Sequence, residues 1–335
     1  MAVGVLLVGG FGTRLMPLTK NTPKPMLTVA GLPITEHQLA MARNAGITTM
    51  VLATSYLPEL FTSYFGNGSK WGMNLLYAVE KEPLGTAGAI ANAAQMLETE
   101  ETVVVFNGDV LSSHNLKEQI HQHEFRNADV TLHLTTVEDA RAYGCVPTDS
   151  EGRVTAFLEK MDNPITNTIN AGCYVFSSQV IKSIPLNTII SVERETFPNL
   201  IANHKKVFGF IDNSYWLDIG TPKALLKGSV DVVTGAADGS ALAMAEVAFH
   251  SSQVLIMGSA VVDSSAIIDN GSCIGAHASV GAGAQISGSI IDNGAQIHSG
   301  AIIIDSYVAS GAVVAKNREI STSFVTNDEI LSITS

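Results

Sequence analysis

The chain is poor in cysteine, with only Cys145, Cys173 and Cys273 among its 335 residues. An odd number of thiols without metal-type spacing argues against a disulfide framework and against a zinc site. The sequence also lacks a basic segment followed by an apolar stretch at its start, and it has no uninterrupted apolar run of about 20 residues. We therefore expect buried thiols in a reducing compartment, no membrane span, and a cytoplasmic location.

Positive charge is scarce, because 19 Lys and Arg stand against 31 Asp and Glu and give a net charge of −12. Nucleic acids and anionic membranes bind basic surfaces, so neither is an expected partner. Acidic residues are in turn absent before Glu36, and Arg14, Lys20 and Lys24 lie in that stretch. One basic site in an acidic protein suits a small polyanionic ligand.

That stretch, residues 6–27, combines an apolar strand, a glycine turn and a proline-rich loop. Gly9, Gly10 and Gly12 have no Cβ, so several backbone amides can approach phosphate oxygens. Arg14 and Lys24 add positive charge. A glycine turn alone is often only a tight turn, and a lone lysine is usually a surface charge. The combination predicts a polyphosphate-binding loop.

The loop does not match two common nucleotide-binding motifs. It is not a Walker loop, because no Gly-Lys-Ser/Thr follows the glycines. The third glycine of a dinucleotide fingerprint would fall at Leu15, and Pro17 would then interrupt the helix that must begin there. A redox enzyme is therefore disfavoured.

Short apolar runs alternate with helical patterns from Val3 to about Ile211, which predicts an α/β fold with a Rossmann-like wound, mostly parallel sheet. Ligands of such sheets bind beyond the carboxyl ends of the strands, where the glycine turn and Asp109 both fall. The predicted strands are 3–8, 50–53, 103–106 and 173–176, and the predicted helices are 34–45, 86–96, 115–126 and 221–233.

The period changes in the last third of the chain, where an apolar residue recurs every six positions with small residues between. This is the hexapeptide pattern of a parallel β-helix, expected to be left-handed and of about three coils. So short a β-helix is expected to need capping or a partner subunit, and we expect a homo-oligomer built through it. The predicted domains are 1–235, a linker 236–253, the β-helix 254–316 and a tail 317–335. The series is Ile256, Val262, Ile268, Ile274, Val280 and Ile286, then, after a one-residue slip, Ile291, Ile297, Ile303, Val308 and Val314.

Several further motifs accompany the predicted sheet and the hexapeptide repeat. The motifs are Gly9-Gly10-Phe11-Gly12-Thr13-Arg14-Leu15 with Pro23-Lys24-Pro25, Glu82-Pro83-Leu84-Gly85-Thr86-Ala87-Gly88, Phe106-Asn107-Gly108-Asp109, Phe157-Leu158-Glu159-Lys160, Asn170-Ala171-Gly172 and Trp216-Leu217-Asp218-Ile219-Gly220-Thr221-Pro222. With these motifs, the chain resembles the sugar-1-phosphate nucleotidyltransferases, most closely the bacterial mannose-1-phosphate guanylyltransferases.

The resemblance implies that residues 1–235 are a catalytic domain in which a sugar-1-phosphate oxygen attacks the α-phosphorus of a nucleoside triphosphate. It implies that Arg14 clamps the β- and γ-phosphates and that Lys24 stabilises charge at the α-phosphate. Asp109 and Asp218 would hold Mg²⁺ together with triphosphate oxygens. The implied nucleotide-binding residues are Val8, Gly9, Gly10, Gly12, Thr13, Arg14, Glu80, Gly85 and Thr86.

The same resemblance implies a sugar-phosphate site. Glu159 would accept hydrogen bonds from sugar hydroxyls, Lys160 would meet the sugar phosphate, and Asn170 would add a hydroxyl contact. Gly144 would let the backbone approach the sugar ring. Taken without the family, Glu159 and Lys160 would be an exposed ion pair of little energetic weight.

Glu80 bears on the choice of base. An ionised carboxylate only accepts hydrogen bonds, so it suits the N1–H and N2–H₂ donors of guanine and disfavours the carbonyl acceptors of uracil or thymine. Guanine is therefore the preferred base, unless Glu80 points into solvent. The resemblance implies GTP and mannose-1-phosphate as the substrates, although the residues alone do not distinguish mannose from glucose.

Three alternatives stay open. The first is a glucose-1-phosphate uridylyl- or thymidylyltransferase. The second is a catalytically silent subunit that senses nucleotide sugars, although the cation and carboxylate positions that such proteins tend to lose are all present. Because hexapeptide β-helices also build acyltransferases, His277 and His298 leave a third, bifunctional alternative, for which three coils are few.

Overall fold

The computed structural model describes residues 2–10, 12–97 and 102–333. They form two compact units. The first unit holds residues 2–10 and Gln38–Trp216, and the second holds Gly12–His37 and residues 217–333. The predicted boundaries at residues 235, 253 and 316 stay predictions.

The strands up to residue 218 are short and mostly apolar. They are β1 (Ala2–Leu7), β2 (Thr28–Val29), β3 (Leu32–Pro33), β4 (Thr49–Thr54), β5 (Asn74–Val79), β6 (Thr102–Asn107), β7 (Val110–Ser112), β8 (Val130–Thr136), β9 (Thr168–Phe176), β10 (Val207–Ile211) and β11 (Trp216–Asp218).

The helices include the four predicted ones. They are α1 (Ile34–Asn44), α2 (Pro58–Phe65), α3 (Gly85–Ala94), α4 (Leu116–Phe125), α5 (Ser178–Ser183), α6 (Phe197–Ala202) and α7 (Pro222–Thr234). At α7 the predicted start is confirmed, because the Thr221 side chain accepts a hydrogen bond from the Ala224 amide and Pro222 is the first helical residue.

Within the first unit, seven of the described strands form one sheet in the order β10-β8-β9-β6-β1-β4-β5. Its pairs are parallel except those of β9, which is antiparallel to both β6 and β8. Val5, Val51 and Val105 are fully buried in its core, as continuous apolar strands covered on both faces should be. The predicted α/β fold with a mostly parallel sheet is confirmed.

The second unit begins with the segment Gly12–His37, which contains a loop, the strands β2 and β3 and the first turn of α1. Short 3₁₀ turns at Thr13–Leu15, Leu18–Lys20 and Lys24–Met26 lead into the hairpin of β2 and β3. The hairpin is tied to α7, because the Ala30 amide donates a hydrogen bond of 2.9 Å to the Ser229 hydroxyl.

The remainder of the second unit is a stack of coils. Its strands are β12 (Val247–His250), β13 (Val254–Met257), β14 (Val261–Val262), β15 (Ile267–Asp269), β16 (Ser272–Ile274), β17 (Ser279–Val280), β18 (Gln285–Ser287), β19 (Ile290–Ile291), β20 (Gln296–Ile297), β21 (Ile302–Ile304), β22 (Tyr307–Val308), β23 (Val313–Val314), β24 (Glu319–Ser321), β25 (Ser323–Val325) and β26 (Ile330–Ser332).

Three sheets run along this stack: β13-β16-β19-β22-β25, β14-β17-β20-β23 and β15-β18-β21-β24, all with parallel pairing. The antiparallel strands β12 and β26 close the first sheet at its two edges. The predicted parallel β-helix is confirmed, with four coils and the start of a fifth in the described residues where about three were expected. Its handedness stays a prediction.

The register explains the slip in the hexapeptide series. Ile256 pairs with Ile274, 18 positions on, whereas Ile274 pairs with Ile291 and Ile291 with Val308, each 17 positions on. The later coils are therefore one residue shorter. Stacking continues to Val325, so the segment treated as a tail from residue 317 contains β24, β25 and β26.

A ladder of serines lines one corner of these coils. Ser289 and Ser306 are fully buried, and their hydroxyls bond to carbonyls of their own coils while accepting from the amide of the serine 17 residues further on. Each hydroxyl thus satisfies backbone groups at a tight corner.

In the described part of the chain, no helix has the length and apolar character needed to cross a membrane.

Candidate active site

The predicted site residues divide between the two units. Gly12, Thr13, Arg14, Lys24 and Asp218 lie in the second unit. Phe11 of the glycine motif lies outside the described residues. The first unit holds Val8, Gly9, Gly10, Glu80, Gly85, Thr86, Asp109, Gly144, Glu159, Lys160 and Asn170.

In the first unit, four adjacent parallel strands, β5, β4, β1 and β6, end at one edge of the sheet. Val8, Gly9 and Gly10 follow β1, Glu80 follows β5, and Asp109 lies just beyond β6. The Gly108 amide donates a hydrogen bond of 3.0 Å to the Leu7 carbonyl, which fixes the Asp109 turn against the end of β1. The glycine turn and Asp109 therefore meet at the ligand-binding edge that the sequence predicts.

The glycine turn is shaped by a close approach to the end of β4. A Cβ at Gly9 would lie 2.8 Å from Ser55 Oγ, while one at Gly10 would meet nothing within 4 Å. The Ser55 hydroxyl donates to the Gly9 carbonyl at 3.1 Å. The strand end thus turns tightly at Gly9 and leaves the backbone of Gly10 open.

Gln38 supports the Asp109 turn and was missed by sequence reasoning. Its side-chain amide donates to the carbonyls of Asn107 (2.7 Å) and Val110 (3.0 Å), on either side of Asp109. Gln38 is buried, so these bonds stabilise the turn away from solvent. The sequence around a buried helical glutamine does not indicate which distant backbone groups the side chain contacts.

In the second unit, the loop folds back on itself at Gly12. Gly12 has φ +61°, and a Cβ there would lie 2.9 Å from both Lys24 Cβ and Thr19 Cγ2. The Thr19 hydroxyl donates to the Gly12 carbonyl at 2.9 Å. Only glycine fits this turn without strain, and the turn brings Lys24 next to the start of the loop.

Arg14, Lys24 and Asp218 come together beside Gly220. A Cβ at Gly220 would lie 2.7 Å from Arg14 Nη2 and 3.0 Å from Asp218 Oδ1. Lys24 Nζ is 3.8 Å from Asp218 Oδ1, which is an ion-pair distance. Lys24 is buried, with 7% of its surface exposed. Two cations and a carboxylate are thus gathered where a phosphate could be bound.

Gly220 is a functional position that sequence reasoning missed, since it appears there only within a motif. Its lack of a side chain makes room for the guanidinium of Arg14. The signal that could have identified it is its position between Asp218 and the capped start of α7.

Glu80 does not point freely into solvent. Its Oε2 accepts a hydrogen bond of 3.3 Å from the Leu84 amide, and within the described structure its Oε1 is buried without a hydrogen-bond partner. Burial raises the pKa of Glu80, and the bond from Leu84 opposes that rise. A buried acceptor that lacks a donor is a place where a ligand donor is favoured.

The start of α3 packs closely on the segment 188–190. A Cβ at Gly85, where φ is +71°, would lie 2.6 Å from the Ile190 carbonyl oxygen. The Thr86 hydroxyl donates to Glu193 Oε2 at 2.8 Å and accepts from the Val192 amide at 2.8 Å. Gly85 and Thr86 therefore hold the 188–193 segment, whatever else they contact.

The predicted sugar-site residues Gly144, Glu159 and Asn170 lie together in the first unit. The Asn170 amide donates to the Gly144 carbonyl at 2.9 Å, and a Cβ at Gly144 would lie 3.4 Å from Glu159 Oε1. The Asn170 side chain donates to Tyr174 Oη at 2.9 Å. Lys160 is exposed and has φ +34°, an uncommon backbone conformation for lysine.

Glu193 joins this cluster and was also missed. Burial raises the pKa of Glu159, the negative charge of Glu193 raises it further, and Lys160 and Arg194 oppose both effects. Glu193 lies in a short π-helical turn, Val192–Thr196, a geometry that is common at functional sites. The run of charged residues Glu193, Arg194 and Glu195 is the feature of the sequence that could have pointed to this position.

No group of three or more His, Cys, Asp or Glu side chains is placed to bind a metal ion in residues 2–10, 12–97 and 102–333. His114, His123 and His133 are buried, and His277 and His298 are exposed on the coils. A histidine-based metal centre is therefore not formed by the described residues.

Comparisons with known proteins agree with this architecture. A sequence model of the nucleotidyl transferase family matches residues 3–262. The chain is 52% identical over 239 residues to mannose-1-phosphate guanylyltransferase of Mycobacterium tuberculosis, covering 71% of this chain and 66% of that protein. It is 34% identical over 264 residues to mannose-1-phosphate guanyltransferase of Debaryomyces hansenii, covering 77% and 72%. The match thus spans slightly less than two thirds of the mycobacterial protein.

Solved structures share the fold. HddC from Yersinia pseudotuberculosis, known also in complex with GMP-PN, superposes with a TM-score of 0.60 at 28% identity over 68% of this chain and 98% of HddC. A Bacillus anthracis protein crystallised with sucrose gives a TM-score of 0.62 at 22% identity over 68% of this chain and 94% of its own. With residues 3–262 matched and the fold shared, the chain belongs to the nucleotidyl transferase family.

Proposed function

We propose that the chain transfers a guanylyl group from GTP to mannose-1-phosphate, giving GDP-mannose and pyrophosphate. The observation that carries the proposal is the meeting of Arg14, Lys24 and Asp218 beside Gly220. Family membership supports nucleotidyl transfer. The 52% identity to the mycobacterial guanylyltransferase supports guanine as the base and mannose as the sugar.

The reaction needs no covalent enzyme intermediate. An oxygen of the sugar phosphate attacks the α-phosphorus in line, and the bond from that phosphorus to the pyrophosphate oxygen breaks. In this proposal Arg14 binds the β- and γ-phosphates, and Lys24 stabilises the charge that develops at the α-phosphate. A buried lysine suits the second role, because its charge acts more strongly away from water.

The carboxylates of Asp109 and Asp218 fit Mg²⁺. Their oxygens are the donors that this ion prefers, and Mg²⁺ in nucleotide sites typically takes one or two carboxylates, substrate phosphates and water. When bound, Mg²⁺ would neutralise triphosphate charge.

Glu80 supports guanine selection in this proposal. Its buried Oε1 offers an acceptor, and guanine presents N1–H and N2–H₂ donors where uracil and thymine present a carbonyl. The backbone turn Val8, Gly9 and Gly10 would receive the triphosphate.

The cluster of Gly144, Glu159 and Asn170 is proposed to bind the sugar. Glu159 would accept from hydroxyls, and Lys160 would meet the sugar phosphate. The cytoplasmic location and a homo-oligomer built through the β-helix stay predictions.

The test is pyrophosphate release with Mg²⁺ across GTP, UTP, dTTP, ATP and CTP against mannose-1-phosphate and glucose-1-phosphate. We expect release with GTP and mannose-1-phosphate. Activity confined to UTP or dTTP with glucose-1-phosphate would overturn the substrates and retain the reaction. Absence of release with every pair, while nucleotide sugar still binds, would favour a sensor subunit. Asp109→Asn combined with Asp218→Asn should abolish release, and retained turnover would contradict the metal assignment.

A further inference from the structure

A buried polar cluster in the second unit joins the N-terminal loop to the coils. Tyr307 Oη donates a hydrogen bond of 2.7 Å to Asp292 Oδ2, and the Thr28 hydroxyl donates one of 3.0 Å to Asp292 Oδ1. Thr28 Oγ1 and Tyr307 Oη are 3.2 Å apart. Thr28 belongs to β2, Asp292 directly follows β19, and Tyr307 begins β22.

The cluster is shielded from water, since Thr28, Asp292 and Tyr307 are exposed by only 6%, 8% and 1%. The Asp292 carboxylate also accepts a 2.7 Å hydrogen bond from the Asn293 amide. Burial raises the pKa of Asp292, and these three donors oppose the rise. A buried carboxylate is tolerated only when its oxygens are satisfied, so Thr28 is held firmly in place.

The loop next to Thr28 carries Lys24. The turn Lys24–Met26 is closed by a hydrogen bond of 3.1 Å from the Leu27 amide to the Lys24 carbonyl, and Thr28 comes next. We call the contacts of Thr28 with Asp292 and Tyr307 the anchor. Few freely rotating residues separate this anchor from Lys24.

The hairpin beyond Thr28 also rests on the coils. A Cβ at Gly31, where φ is +75°, would lie 2.8 Å from Met257 Sδ and 3.4 Å from Cys273 Sγ. The Ala30 amide is bound by Ser229 of α7. The segment that follows Lys24 is therefore fastened at several points to the β-helix and the helix before it.

We propose that Asp292 and Tyr307 are positioning residues of the transferase site, which hold Lys24 in place by binding Thr28. This inference rests on the proposed function. The β-helix would then contribute to turnover within a single chain. It would do so without contacting substrate.

Loss of the anchor should affect turnover more than nucleotide binding. Lys24 is assigned to charge that develops during reaction, and small displacements of such a group cost rate steeply. The backbone of Val8, Gly9 and Gly10 and the side chain of Glu80, which are proposed to bind the nucleotide, lie in the first unit, outside the anchored segment. Arg14 precedes that segment in the second unit and has its guanidinium beside Gly220. We therefore expect kcat to fall about tenfold, with the KM for GTP little changed.

The experiment compares four variants of the full chain. Thr28→Val removes the hydroxyl at nearly constant volume, and Thr28→Ser restores it. Tyr307→Phe removes only the phenolic oxygen. Ser306→Ala is the control, because Ser306 is fully buried in the same coil and its hydroxyl bonds to Ile304 and Ser323. The readouts are kcat, the KM for GTP, and hydrogen exchange of the amides at residues 26–28.

The proposal expects Thr28→Val and Tyr307→Phe to lower kcat and to speed exchange at residues 26–28, while Thr28→Ser and Ser306→Ala stay close to wild type. Equal losses of kcat in Tyr307→Phe and Ser306→Ala, with the kcat of Thr28→Val unchanged, would show that the cluster serves stability alone and would overturn the proposal. If Tyr307→Phe fails to fold, the comparison of Thr28→Val with Thr28→Ser decides: a lower kcat in Thr28→Val alone supports the proposal, and equal kcat values overturn it. An inactive wild type would reject the proposed function, whereas exchange would still report whether the anchor holds the loop.

Discussion

Lys24 Nζ lies 3.8 Å from Asp218 Oδ1 within the second unit, joining the start of the chain to the turn before α7. Lys24 is 7% exposed, so its ammonium is placed by the fold of the loop and not by a mobile side chain. The lysine predicted to stabilise the α-phosphate and one carboxylate predicted to hold Mg²⁺ therefore belong to one local arrangement.

Replacement of Lys24 by Met should remove the charge while keeping most of the side-chain stem. We expect kcat to fall by about 10²- to 10³-fold, the scale of losing one preorganised charge at a transition state. Pyrophosphate release measures the effect. Lys20→Met is the matched control, because Lys20 is an exposed lysine of the same loop. Similar activities in the two variants would reject the role of Lys24.

Glu80→Gln should relax the choice of base. The carboxamide offers a donor where the carboxylate only accepts, so we expect the ratio of kcat/KM for GTP to that for UTP to fall by roughly 10- to 100-fold. Glu82→Gln is the control, since Glu82 is exposed nearby. An unchanged ratio in Glu80→Gln would show that the base is recognised elsewhere.

Gly220→Ala should displace the Arg14 guanidinium, because the new Cβ would lie 2.7 Å from Arg14 Nη2. The end of an arginine can move, so the fold should survive while kcat/KM for the nucleotide falls about tenfold. Kinetics and thermal melting separate these effects. Gly239→Ala serves for comparison, because its nearest neighbour is 3.7 Å away. Full activity in Gly220→Ala would argue against Arg14 as a phosphate clamp.

His123 should make the fold sensitive to acid. Burial lowers its pKa to about 4, whereas the unfolded chain has an ordinary pKa of 6.5. Between these values the unfolded state binds more protons, so stability is lost as the pH falls from 6.5 towards 4. At pH 5 the loss from this one group is on the order of 1–2 kcal/mol.

Urea unfolding at pH 7 and pH 5 tests this expectation. His123→Gln should lose less stability between the two pH values than wild type. His121→Gln, at an exposed position of the same helix, should behave like wild type. The same pH dependence in all three proteins would contradict the assignment.

Local sequence patterns were sufficient for much of the fold. Valine-rich runs predicted β1 and β6, and the turns after them carry Gly9 and Asp109, because a buried strand must be followed by a reversal at the sheet edge. The six-residue period predicted the β-helix, since each coil repeats the same burial. The coil count fell short because Ile320 and Val325 lie in a polar stretch, although both are buried.

Tertiary structure alone decided which distant groups meet. The loop that follows the glycine turn groups with the C-terminal coils, and Gly220 comes to lie beside Arg14. Glu193 joins Glu159, and Thr28 is bound by Asp292. Strands, turns and the repeat could be predicted from the sequence, because they follow from neighbouring residues and their period. The contacts could not be predicted, because they depend on how elements far apart in the chain pack together.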